Sequence, residues 1–277
     1  MFFEIRGCNL SISNDRVIQD GVTRSYVCRR GNQHDGRLFP GTLLYCEGLH
    51  KPLLRGCLHL AFTFALPLGM CHLVMAANNS ILGSIAAIVY VGTNICYYGF
   101  SGMYHVGKWS AQEEIYLQII NHCGIAILGV GTFLPVSMLL LSLKIGLLFI
   151  ASTLITCIWT CYHVRNVRPS SWRQNIFLVT PIPFIPFFLP LINGTEFCGA
   201  LLAVLLQAAG LAVLSYRRPI LWQATFGYHE MFHTLVMLAS VCAYLVNWSI
   251  ISRTCNPNVR HPNIIDFVHN TLFTHVT

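Results

Sequence analysis

The chain has 277 residues, of which 55% are hydrophobic and only 10% charged, against about 25% charged in a typical soluble domain. That leaves too little polar surface to coat a soluble globule, and it excludes disordered, collagen-like and small disulfide-stapled classes. The net charge of +7 does not point to nucleic acid, because the 17 Lys and Arg residues lie in short groups between apolar runs and not along one helix face.

Residues 1–50 are mixed and polar, with Arg6, Arg16, Arg24, Arg29, Arg30 and Arg37 set among Asp15, Asp20 and Asp35. No long apolar run follows Met1, so no cleavable signal peptide is expected. Apolar stretches then recur at 56–77, 81–103, 118–141, 145–163, 176–192, 197–216 and 226–250. Stretches of about 20 residues are long enough to cross a hydrocarbon core of roughly 30 Å. The predicted fold is all-α and polytopic, with seven transmembrane helices forming a membrane domain over 51–251 and a tail over 252–277. The fifth stretch departs from the others: Pro181, Pro183, Pro186 and Pro190 lie inside about 17 apolar residues, and each removes a backbone donor and invites a kink. Eight cysteines fall inside the spans without a close CxxC pair. They read as small buried hydrophobes and not as a disulfide framework.

Lys and Arg collect on cytoplasmic loops. With seven spans, fourteen fall on the side of the N-terminus, while Lys144, Arg253 and Arg260 fall on the other. The N-terminus is therefore expected to be cytoplasmic and the C-terminal tail non-cytoplasmic. The triplets Asn78-Asn79-Ser80, Asn193-Gly194-Thr195 and Asn247-Trp248-Ser249 fall on the non-cytoplasmic side, close to the membrane.

The segment richest in chemistry is Gly227-Tyr228-His229-Glu230-Met231-Phe232-His233, at the start of the last span. Residues four apart stack on one face of a helix, so His229 and His233 present two imidazoles together. The same string fits the HExxH zincin pattern, in which the Glu is the general base. Glu230 lies about 100° round the helix from His229, which favours pairing with a basic group at the helix end. His105 is the third candidate, with Ser101 four residues before it at the end of the second span. Alternating spans bring all three histidines, and Asn121 at the start of the third, to the cytoplasmic end of the bundle. Three neutral imidazoles with a fourth position open suit a catalytic Zn2+. His59, His72, His122 and His163 read as hydrogen-bonded structural groups, and Asn94 and Gln207 as bonds across helices.

Three strings, Ser101-Gly102-Met103-Tyr104-His105, Asn121-His122-Cys123-Gly124-Ile125-Ala126 running to Gly131-Thr132-Phe133-Leu134-Pro135, and Phe226 to His233, together resemble the hemolysin III branch of the progestin and adiponectin receptor (PAQR) family. Lys51-Pro52-Leu53-Leu54-Arg55-Gly56 resembles the segment leading into the first helix of bacterial hemolysin III proteins. The resemblance covers residues 50–251. It implies seven helices and an intramembrane zinc held by His105, His229 and His233, with Ser101 orienting or polarising bound water or substrate. Asn121 stands where family members usually carry an Asp beside the metal; it can donate and accept hydrogen bonds but cannot take up a proton as a carboxylate does.

The resemblance implies a zinc-dependent hydrolase of lipid amides or esters, ceramidase-like, with a membrane lipid such as a sphingolipid or fatty acid as substrate or ligand. The alternative is a seven-helix receptor or regulator in which zinc is structural. A pore-forming hemolysin finds little support, because the spans offer almost no ring of charged side chains. An HExxH intramembrane protease is disfavoured for want of its usual third ligand.

Overall fold

The computed structural model describes residues 52–166 and 182–256, apart from 108, 110, 217, 220, 223 and 224. The expectations for residues 1–50 and 257–277, and for the first part of the fifth stretch, lie outside the described residues. What is described is helical, with no strand beyond an isolated bridge between Trp222 and Phe226.

Seven helices follow in order: α1 Cys57–Ala76, α2 Ile81–Val106, α3 Ala111–Leu139, α4 Leu143–Asn166, α5 Ile185–Phe188, α6 Gly194–Tyr216 and α7 Tyr228–Cys255. Six of them are long and apolar enough to cross a membrane. Their outer faces are apolar: Phe64 is 80% exposed, Ile81 79% and Leu143 77%, a surface that only hydrocarbon covers at low cost. Cys57, Cys71, Cys96 and Cys198 share that outer surface, so these four are not the buried groups the sequence suggests. The nine described cysteines are all free thiols.

The fifth stretch differs from a single span. Pro183, Pro186 and Pro190 interrupt the backbone ladder, and the chain forms 3-10 turns at Ile182–Phe184 and Leu189–Leu191 around the four residues of α5. These ten residues rise only about 15–20 Å. The Phe184 ring packs edge-on against Phe149 of α4.

Helix α7 packs against α6, α1, α3 and α2, while α1, α2, α3 and α4 pack in sequence order. Small residues permit close approach, as is usual between membrane helices: a Cβ on Gly131 of α3 would overlap the Thr93 hydroxyl of α2. Gly56 opens α1 at φ +81 with its backbone against Gly102 and His105, where a side chain has no room. The start of α1 is thus set against the end of α2. At the opposite end, Gly83 of α2 faces Ala77 and Cys255.

Side-chain hydrogen bonds within the bundle follow its need to satisfy polar groups internally. Asn94 donates to the Tyr90 carbonyl of its own helix at 2.8 Å, and Gln207 Oε1 is buried with no partner among the described residues. Neither forms the cross-helix bond expected. Asn247 does, donating to the Thr132 carbonyl of α3. At 2% exposed it is a packing residue, as is Asn193 at 7%, so of the three glycosylation triplets only the one at Asn78 has an exposed asparagine.

Glu196, in the first turn of α6, is a second acid within a span besides Glu230. Asn193 and Glu196 cap the helix start reciprocally, each side chain accepting the other's backbone N–H. The same carboxylate takes two bonds from Arg253, at 2.8 and 3.1 Å, and one from the Ser249 hydroxyl. This ties the start of α6 to the end of α7 through a buried ion pair. Glu196→Ala leaves the Arg253 guanidinium facing a hole, and removing one partner of such a pair costs about 3 kcal/mol. A lowered unfolding midpoint in detergent is the expected result; an unchanged midpoint would refute the clamp.

Candidate metal centre

Two local devices aim α7 at its neighbours. Trp222 and Phe226 exchange paired backbone hydrogen bonds just ahead of Gly227, which caps the helix. Glu230 Oε2 accepts the Gly227 N–H at 2.8 Å, and Glu230 Oε1 accepts from Arg55 Nε. Leu54 N–H donates to the Thr225 carbonyl nearby. The start of α1 and the start of α7 are therefore fastened together beside the end of α2. Glu230 is 1% exposed and engaged through both carboxylate oxygens. It is a structural anion, as its angular offset from His229 suggests.

Fastening α1, α2 and α7 brings His105, His229 and His233 into one group whose ligand atoms all lie within 4.8 Å of one another. The ring centroids are 5.0 Å apart for His105 and His229, 4.9 Å for His105 and His233, and 4.5 Å for His229 and His233. His105 is 6% exposed and His233 4%. Nε2 of His229 and both ring nitrogens of His233 are buried without a hydrogen-bond partner among the described residues. Buried polar atoms left unpaired are costly. Three imidazoles gathered at one point, with nitrogens of His229 and His233 unfilled among the described residues, form the donor set of a metal ion that accepts neutral nitrogen ligands. The residues present therefore fit a resident metal.

Ser101, fully buried on α2, lies one turn from His105 on the same face. Its hydroxyl is 2.9 Å from His59 Nδ1. His59 is the residue that sequence reasoning undervalued: it is 1% exposed on α1, and its ring centroid is 4.1 Å from that of His233. Nothing in the spacing around His59 sets it apart, because its place depends on α1 packing against α7. Asn121 reaches the same level by register, since Gly124 and Gly131 of α3 face Tyr97 and Thr93 of α2. Asn121 Oδ1 is buried with no partner among the described residues. His122 is not part of the histidine group, His72 bonds to the Tyr244 hydroxyl at 2.8 Å, and the side chain of His163 lies outside the described residues.

Toward the middle of the bundle, a cavity of about 150 Å³ lies between α1, α2 and α7, lined by residues that include Phe62, Leu66, Tyr90, Asn94 and Tyr244. The Tyr98 ring packs edge-on against both His59 and Phe62, and its hydroxyl bonds to Ser240, another lining residue. Its walls are mainly apolar, which suits a hydrocarbon chain better than water.

The strings around Ser101, Asn121 and His229 thus converge on one end of a helical membrane bundle. A family model described as haemolysin-III related matches residues 47–244, from ahead of α1 to well into α7, and the chain belongs to that family of multi-pass integral membrane proteins.

Proposed function

We propose that this protein binds zinc through His105, His229 and His233 and uses the site to hydrolyse an amide or ester bond of a membrane lipid. The observation that carries the reading is the convergence of three imidazoles, those of His105 and His233 buried and that of His229 half-buried, with unfilled nitrogens on His229 and His233 among the described residues. Zinc held by neutral imidazoles would supply a Lewis acid for a carbonyl and a source of nucleophile at neutral pH. Ser101 would donate to an oxygen of the reacting group, and Asn121 Oδ1, without a partner among the described residues, would accept from a water or hydroxyl beside it. The apolar cavity about two to three turns farther along α7 supports a substrate with a hydrocarbon chain, a sphingolipid or fatty-acid derivative.

One observation favours a second reading, a receptor or regulator in which zinc holds α2 and α7 together. Glu230 is engaged by Arg55 and by the cap of α7, and Asn121 is not an acid. A carboxylate that could serve as general base is therefore not seen beside the histidines among the described residues. The same occupation of Glu230 speaks against an HExxH protease.

We further infer seven crossings with a cytoplasmic N-terminus. The Cys161 thiol of α4 adjoins Cys123 near the start of α3, whereas Glu196 of α6 adjoins Arg253 at the far end of α7. These contacts support a return of the chain across the bundle between α4 and α6, with the short turns around α5 as part of it. The excess of Lys and Arg on the side of the N-terminus sets the orientation.

Purified protein should carry about one zinc per chain, and His233→Ala should lose most of it; normal zinc content in that variant, measured by elemental analysis, would refute the ligand set. Asn121→Asp should keep the metal and raise hydrolysis of a short-chain ceramide by about 100-fold if a base is what the site lacks. Unchanged turnover would favour the regulatory reading. A tag at the C-terminus should be reached by antibody only after the non-cytoplasmic compartment is opened, and direct cytosolic access would reverse the topology.

A further inference from the structure

We propose that His59 is a fourth histidine of the metal centre, a positioning residue that holds the Ser101 hydroxyl in one orientation beside the ligand set. The inference rests on the zinc reading above and names a residue that reading does not use.

Hydroxyls inside helices ordinarily turn back to a carbonyl of their own helix. Thr132, Thr160 and Ser215 do so here, bonding to Leu128, Thr156 and Leu211. Ser101 instead meets His59 Nδ1 on α1 at 2.9 Å, in a contact buried from both sides. The His59 ring is enclosed by aromatic neighbours, with centroids at 4.9 Å for Tyr98, 6.0 Å for Tyr97 and 4.1 Å for His233. A ring packed so closely has little freedom to swing away from Ser101.

The direction of the hydrogen bond follows from the other nitrogen. His59 Nε2 is buried and has no hydrogen-bond partner among the described residues. Were Ser101 the donor, neutral His59 would carry its proton on Nε2, as a buried N–H with no acceptor, which native structures rarely tolerate. With the proton on Nδ1, His59 donates to Ser101 and Nε2 keeps only an unfilled lone pair. Ser101 is then an acceptor toward α1, and its own O–H remains to donate toward an oxygen of a ligand at the centre. His59 also backs His233, placing one residue behind both a ligand and the hydroxyl. Partners of this kind typically change metal affinity by 10- to 100-fold when removed.

The test uses full-length protein in detergent, stripped of metal and titrated with zinc against a chromophoric chelator. Ser101→Ala and His59→Leu should each weaken zinc on the order of 10-fold, and the double variant no more than the weaker-binding single, because both remove one interaction. His59→Asn, which keeps a polar atom near the Nδ1 position, should stay within about threefold of wild type, whereas His59→Gln, whose amide reaches the Nε2 position, should behave like His59→Leu. Wild-type affinity in His59→Leu, or losses that multiply in the double variant, would overturn the proposal while leaving the zinc reading intact. Wild-type protein that takes up no zinc would overturn both. Should His59→Leu fail to fold, Asn and Gln variants of equal affinity would overturn it as well.

Discussion

Every strong polar group inside this bundle must find its partner within the protein, because hydrocarbon offers none. Helix α7 shows the consequence most plainly. A buried ion pair holds each of its ends, Arg55 with Glu230 where it begins and Arg253 with Glu196 where it finishes. Both carboxylates also cap a helix start, so each acid fixes the position of a helix and the direction in which it leaves its turn. Between these anchors α7 meets α1, α2 and α3 through apolar packing and through hydrogen bonds of Tyr244 to His72, Ser240 to Tyr98 and Asn247 to Thr132.

The histidine group depends on that fastening. His229 and His233 are presented by α7, His105 by α2 and His59 by α1, so three separately folded helices must register within an ångström or two for the rings to meet. Arg55 and Glu230 provide that register beside the histidines, and the Trp222–Phe226 backbone pair and the Leu54–Thr225 bond support it from outside the helix. The acid of an HExxH string is spent here on architecture, which separates this centre chemically from a protease that shares the letters. Within the site the polar atoms are histidine nitrogens, the Ser101 hydroxyl and the Asn121 amide. Such a set can bind a metal and orient a ligand, and the one carboxylate described beside it, Glu230, is engaged through both oxygens.

Much of this was legible in the chain. Six of the long apolar runs are helices, four of them with ends within three residues of expectation, while α3 starts seven residues earlier and α7 runs five residues further; the His105, His229 and His233 set follows from one i,i+4 pair and an alternation of spans. Spacing of that kind follows from helix geometry alone. The fifth stretch was legible only as an irregularity: prolines announce that a regular span cannot form, yet they do not say that 3-10 turns will surround a four-residue helix. Asn193 and Asn247 both stand in Asn-X-Ser/Thr triplets, yet one caps α6 and the other bridges to α3, because a tripeptide pattern carries no information about burial.

The sequence by itself determined a helical membrane protein with its candidate metal ligands gathered at one end, since hydropathy and helical period are local properties that survive whatever the helices do next. Only the tertiary structure decided which polar residues belong together. Glu196 and Arg253 are 57 residues apart, Glu230 and Arg55 175, and His59 and Ser101 42. Partnerships over such distances are settled by which helix faces can approach closely, at Gly56 against Gly102 and Gly131 against Thr93, and close approach is a property of the packed bundle and of no single segment.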